Sequence, residues 1–152
     1  MDVTSLNILR RLDLSWSDKV AYLAYTLSQV EGPALPPIRH LFVKGLYVRE
    51  ILMPADMYLI GRVHKEGHVL ELVYGALEIF TEKGVTLHKA PDGFKSTPGF
   101  QMVLHTLTPC LGRTTHPNPD ECRDINVLEN RIAEPSAPVL ARGKQLTQEL
   151  LK

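Results

Sequence analysis

Six histidines, at positions 40, 64, 68, 88, 105 and 116, are the side chains in this sequence best suited to chemistry. A neutral imidazole offers a lone pair that suits zinc, iron, nickel, copper or manganese. His40 and His88 read as ordinary surface or packed residues. His64 and His68 stand apart, because the string Gly61-Arg62-Val63-His64-Lys65-Glu66-Gly67-His68 is a short turn between two strand-like pieces. Two imidazoles so placed can converge on one point inside a barrel, which is how strands rather than a helix build a metal site. Glu66 and Glu71 lie beside the pair as possible ligands or bases, though each reads more simply as a solvated strand or turn residue. Arg49 and Glu50 are neighbours that suggest a structural ion pair at a strand end.

The elements that must position these residues are short and β-rich. LYVREILM, MYLIGRVH, HVLELVY, ALEIFT and VTLHKA alternate with the turn signals PAD, KEG, Gly75, EKG and PDG. A spacing of about 8–12 residues between turns is the signature of an antiparallel sandwich or barrel. Gly84 in Glu82-Lys83-Gly84 sits where a tight hairpin needs positive φ. Residues 1–31 read as helical, with Ser15 or Ser17 as cap, an apolar stripe of Val20, Leu23, Ala24, Leu27 and Val30, and a stop at Gly32 and Pro33. Residues 32–40 read as a proline-rich extended connector. After Pro117, a short helix over 124–134 presents Ile125, Leu128 and Ile132, Pro135 and Pro138 interrupt it, and a last amphipathic turn or two covers 140–152.

Composition excludes several classes. A chain of 152 residues with 44% hydrophobic and 22% charged side chains fits one globular domain. Seventeen basic residues balance seventeen acidic ones, so there is no general electrostatic signal for nucleic acid. Two cysteines, Cys110 and Cys122, are too few for a disulfide framework and form no CxxC. The N-terminal stretch is too charged for a secretory h-region, and no apolar run approaches the roughly 20 residues that span a bilayer. A soluble cytoplasmic protein, with no membrane partner, is expected. No glycine-rich loop opens a helix, so no nucleotide cofactor is expected, and no G-x-S-x-G elbow marks a nucleophile.

The strand-and-turn rhythm, with Gly61, His64, His68 and Gly75, resembles the cupin family of small jelly-roll β-barrels. That family's first motif is a glycine, a His-x-His pair, a glutamate and a closing glycine. Counting back from Gly75, His68 stands where the family has glutamate, His64 at the second histidine, and Arg62 at the first. Pro98-Gly99 supplies the turn of the second motif, with Met102 and Val103 at its histidine positions. The strings Gly45-Leu-Tyr-Val-Arg-Glu-Ile, Ile60-Gly-Arg-Val-His-Lys-Glu-Gly-His and Thr114-Thr-His116 are similar to a narrower set of uncharacterised cupin-like proteins of bacteriophages and bacteria. Where that set carries an acidic pair and a tryptophan before T-x-H, this chain has Thr108, Pro109 and Gly112.

The resemblance implies an all-β, antiparallel jelly-roll barrel over residues 42–116. It is flanked by an N-terminal helical arm and connector (1–41) and a C-terminal loop and helical tail (117–152), in a single globular unit. It also implies a divalent metal (Zn, Mn, Fe or Ni) on His64, His68 and His116, with His105 or Glu66 as lesser candidates. Tyr58 and Tyr74, with Tyr47 and Phe80, are candidate walls of a barrel mouth for a small ligand, unless they are simply core. Arg62 is a candidate receiver for an anionic one. Two other readings remain: a non-catalytic small-molecule-sequestering module, and a degenerate cupin kept as a phage or bacterial interaction or structural protein. The apolar stripes of the arms suggest a homodimer or larger assembly, in a bacterial cytoplasm or, if phage-encoded, that of the host.

Overall fold

A computed structural model describes residues 6–30 and 36–152 of the chain. The stop expected at Gly32 and Pro33, the first five residues and the first part of the proline-rich connector, residues 32–35, lie outside the described residues. The chain divides into two compact units, Leu35–Glu134 and Met1–Ala34 with Pro135–Lys152. This differs from the single unit expected from the sequence: the β unit keeps the first helix after the barrel, and the two terminal arms form a unit of their own.

The β unit holds nine strands in chain order: β1 (Ile38–Val43), β2 (Leu46–Met53), β3 (Tyr58–Ile60), β4 (Val69–Tyr74), β5 (Ala76–Thr81), β6 (Gly84–Lys89), β7 (Asp92–Lys95), β8 (Val103–Thr106) and β9 (Cys110–Pro117). They form two antiparallel sheets, ordered β1-β2-β9-β4-β7 and β3-β8-β5-β6. This is the jelly-roll, double-stranded β-helix arrangement, and the expected all-β class holds. The barrel begins at Ile38 rather than residue 42, because β1 pairs along its whole length with β2, from Ile38 opposite Ile51 to Val43 opposite Leu46. The β5–β6 hairpin turns through Gly84 at φ 124°, the left-handed region that glycine enters without a Cβ clash. MYLIGRVH yields only three strand residues; Gly61 to His64 leave the sheet, and His64 makes an isolated bridge to Ala133.

Register decides what faces inward. On β2, Tyr47, Arg49, Ile51 and Met53 lie opposite His116, Thr114, Gly112 and Cys110 of β9. On β4, Leu70 and Leu72 face Thr114 and Gly112. Alternate strand residues point the same way, so these rows share the barrel interior. One end is apolar: Met53, Leu72, Leu77, Ile79, Leu104 and Cys110 form a buried cluster. Each such side chain contributes about 1.5–3 kcal/mol by leaving water.

At the other end Tyr47 packs with Leu128, Ile132 and Ala133. Leu128 and Ile132 belong to α2, the helix Ile125–Ile132, which follows α1 (Trp16–Ser28) in chain order. Asp124 caps α2 by accepting from the backbone N–H groups of Asn126 (3.0 Å) and Val127 (3.3 Å). Asn118, almost fully buried, clamps the chain between β9 and α2: its amide donates to the Cys122 carbonyl (2.8 Å) and its carbonyl accepts from Cys122 N–H (3.1 Å).

In the arm unit, Ser15 caps α1, accepting from Asp18 N–H at 3.2 Å. A helix α3 (Ala137–Leu150), longer than the one or two turns expected, pairs with α1. Gly143 permits this approach, since a Cβ there would run into the backbone carbonyl of Ala21. Asp18 accepts from both Nε and Nη2 of Arg142, each at 3.0 Å. The apolar stripes expected to seek a second chain therefore cover one another, with Val20, Leu23 and Leu146 buried. Among the described residues no helix is long and apolar enough to cross a membrane.

Candidate functional site

Three histidines from three stretches of chain meet at the α2 end of the barrel. His68 immediately precedes β4 and is locked to the residue after β7: its N–H donates to Ser96 Oγ (3.2 Å), and Ser96 N–H donates to its carbonyl (2.8 Å). Ser96 Oγ also bonds His68 Nδ1 at 3.0 Å. With Nδ1 held there, Nε2 is the ring nitrogen left free. His116 sits on β9 opposite Tyr47, its Nε2 bonded to Thr114 Oγ1 at 2.9 Å. His64 is fixed by its backbone: its N–H donates to Phe100 carbonyl (3.0 Å) and its carbonyl accepts from Gly99 N–H (2.8 Å). The His64 and His68 ring centroids lie 4.0 Å apart, and those of His68 and His116 4.6 Å apart. His68 and His116 are each only 5% exposed.

The electrostatics follow from that burial. Loss of hydration, then neighbouring imidazoles and the Arg49 guanidinium, pulls His64 down to about 4 and His116 to about 3. Burial lowers His68 as well, partly opposed by the Glu66 carbonyl. All three are therefore neutral near pH 7, the protonation state that ligates metals. Among the described residues, three buried side-chain nitrogens or oxygens lack any hydrogen-bond partner: His64 Nδ1, His68 Nε2 and Arg49 Nε. All three belong to this one region.

The donor set suits a borderline divalent metal such as zinc, since two buried imidazole nitrogens are unpartnered and neutral. It is not closed as it stands. Among the described residues no three His, Cys, Asp or Glu side chains are placed around a single ion, and the His116 Nε2 is engaged by Thr114.

The remaining sequence candidates lie elsewhere. His105, on β8, bonds Asp56 Oδ1 through Nε2 at 2.6 Å, has Glu78 at 3.8 Å, and stacks on Tyr58 at 4.2 Å. It and Tyr58 thus form a separate, satisfied cluster on the second sheet. Tyr74, at the end of β4, is 64% exposed and lines no mouth. Glu66 is exposed in its turn, with only its carbonyl near His68 Nδ1 (3.5 Å). Arg62 is turned to the end of α2, donating from Nε to Glu134 carbonyl (2.7 Å) and from Nη2 to Ala133 carbonyl (3.3 Å). Both carbonyls belong to the residues just past α2, so Arg62 ties the turn before His64 to the segment that follows the helix.

The expected Arg49–Glu50 pair does not form, because consecutive strand residues face opposite ways. Glu50 pairs instead with Arg113 at 2.7 Å, while Arg49 lies 3.6 Å from Glu129 of α2. Arg49 is the site residue that reading the sequence missed. Its signal was present: it shares strand parity with Tyr47, Ile51 and Met53, which makes it a cation on an otherwise inward-facing row. His40, taken as ordinary, bonds the Tyr47 hydroxyl through Nδ1 at 2.6 Å and so orients the ring that walls His116.

No family model matches the chain, and no curated protein matches it in sequence. Solved structures do. A protein with a double-stranded beta-helix domain from Klebsiella pneumoniae is 16% identical, with a TM-score of 0.50 over 73% of this chain and 95% of its own. A cupin 2 domain-containing protein from Halorhodospira halophila is 17% identical, with a TM-score of 0.50 over 77% of this chain and 81% of its own. At these identities the likeness concerns the fold, and the fold is cupin-like.

Proposed function

We propose that the β unit is a metal-binding cupin-like barrel in which His64, His68 and His116 take one divalent ion. The observation that carries this reading is the pair of buried, neutral, unpartnered nitrogens, His64 Nδ1 and His68 Nε2, beside a third buried imidazole. A buried donor or acceptor left unpaired costs about 1–3 kcal/mol, so two in one spot need an occupant to repay them. In this reading Ser96 holds His68 so that Nε2 is presented, and Tyr47 walls the pocket. His116 would hold the ion through Nε2, the nitrogen bonded here to Thr114 Oγ1. A bound divalent ion supplies a Lewis acid that polarises an oxygen of a small ligand.

The Arg49 cation beside the histidines favours a second reading, a small-molecule-binding module that works without the ion. Metal analysis separates the two. The native chain, incubated with zinc, manganese, iron or nickel and desalted, is expected to retain about one equivalent of one of them and to lose thermal stability with chelator. The His64→Ala/His68→Ala protein retains none and ignores chelator. A native chain that retains no metal and ignores chelator leaves the metal-free reading.

A further inference from the structure

Arginine binds carboxylates best along its Nε/Nη2 edge, where two parallel N–H groups match two oxygens. Among the described residues, three arginines have that edge filled by a carboxylate. Arg142 holds Asp18 at 3.0 and 3.0 Å, Arg11 holds Asp13 at 2.7 and 2.6 Å, and Arg113 holds Glu50 at 3.1 and 2.7 Å. Arg49 does not follow them. Its Nε is buried with no partner, its Nη2 stands 3.6 Å from Glu129 Oε1, and the Tyr47 hydroxyl is the guanidinium's other polar neighbour. Arg49 shares the inner face of the sheet with Thr114, directly opposite on β9, and with His116 one inward position further along. Its charge reaches all three histidines.

We infer that the histidine cluster takes a small carboxylate-bearing ligand, whose carboxylate seats on the Nε/Nη2 edge of Arg49 in place of Glu129. The inference rests on the reading of this cluster as a ligand site and names the ligand class it selects. Charge argues for a monoanion. The metal-free cluster offers one guanidinium and three neutral imidazoles, so a dianionic phosphate would carry unpaired charge into a partly buried place. Glu129 is the internal competitor: it sits near enough to Arg49 to hold the cation weakly, and too far for a hydrogen bond. A carboxylate that reaches both Nε and Nη2 makes two charge-assisted bonds where Glu129 makes none.

Isothermal titration of the full chain, with and without zinc, tests this using benzoate and acetate against benzamide and acetamide, with inorganic phosphate as a further arm. Carboxylates are expected to bind at least about tenfold more tightly than their amides, the worth of one charge-assisted hydrogen bond. Arg49→Gln is expected to erase that preference, and Glu129→Gln to enlarge it by removing the competitor. Should Arg49→Gln fail to fold, Arg49→Lys takes its place, because it keeps the charge and loses the Nε/Nη2 edge and is expected to reduce the carboxylate preference. Equal binding of carboxylate and amide, no carboxylate binding in any protein, or phosphate binding more tightly than either carboxylate overturns the inference. Zinc content measured on the same samples keeps the two readings apart. Zinc retention without carboxylate preference removes only the ligand class. An Arg49-dependent preference without zinc retention removes only the metal.

Discussion

The two ends of the barrel interior are built on the same strands and behave as opposites. Along β2 the inward row runs from Tyr47 and Arg49 to Ile51 and Met53, and along β9 from His116 and Thr114 to Gly112 and Cys110. Past the middle of each strand, polar groups give way to a buried apolar cluster. The apolar end has a complete set of partners, because hydrophobic contact needs no direction. At the polar end three buried nitrogens have none. The apolar end is packing throughout; the other end, although it has an apolar cluster of its own around Tyr47, gives up some stability to leave nitrogens unpaired.

Substitutions sharpen that contrast. Leu72→Ala, at the apolar end, is expected to cost about 2–5 kcal/mol through the cavity it leaves, read as a fall in the denaturant midpoint. His64→Leu, at the polar end, is expected to shift metal-free stability by about 1 kcal/mol or less, since an apolar side chain removes an unpaired donor as well as an imidazole. A cost for His64→Leu as large as that for Leu72→Ala would break the contrast and make the histidines part of the core.

Acid sharpens it in a second way. The folded chain holds His64 at about 4 and His116 at about 3, against 6.5 for a free imidazole. Between those values the unfolded chain binds more protons than the folded one, so stability rises with pH across that window. The contribution is whole above pH 6.5 and is lost as pH falls towards 4 and then 3. Urea midpoints at a series of pH values should fall across that range, and His64→Leu should flatten the fall. A midpoint independent of pH from 6.5 to 4 contradicts the buried, neutral placement.

Smaller effects follow. Ser96→Ala frees His68 Nδ1 and is expected to weaken zinc retention about 10–100-fold with little change in fold. His105→Ala, in the cluster satisfied by Asp56 on the other sheet, is expected to leave zinc retention unchanged. Sensitivity of zinc to His105 rather than His116 would move the site to that cluster. The assembly expected from the arms stays a proposal for light scattering; a monomer mass fits arms whose stripes cover each other.

The histidine turn could be read from sequence because glycine and charge punctuate it, and because His64 and His68 sit one turn apart between two β-rich strings. The hairpin at Gly84 was legible for the same local reason. β1 was hidden by the prolines before it: Pro36 and Pro37 suggest an extended connector, while pairing with β2 is a long-range contact that no local pattern records. β7 was hidden by Asp92 and Gly93, which read as a turn but pair with Leu72 and Glu71. Arg49 was legible only through strand parity, and the adjacent Glu50 offered a simpler partner. Arg62 stood at a motif position, yet two carbonyls just past α2 claimed it. Local chemistry was visible in the sequence; which neighbour each charge would find depended on closure of the barrel.

The most direct test of the central claim is the X-ray absorption spectrum of the zinc-loaded chain. The zinc is expected to show a first shell dominated by imidazole nitrogen at roughly 2.0–2.1 Å, with the outer-shell scattering of about three histidine rings, and to lose that scattering in the His64→Ala/His68→Ala protein. A shell of oxygens alone, or an imidazole signal that survives in the double variant, would contradict it.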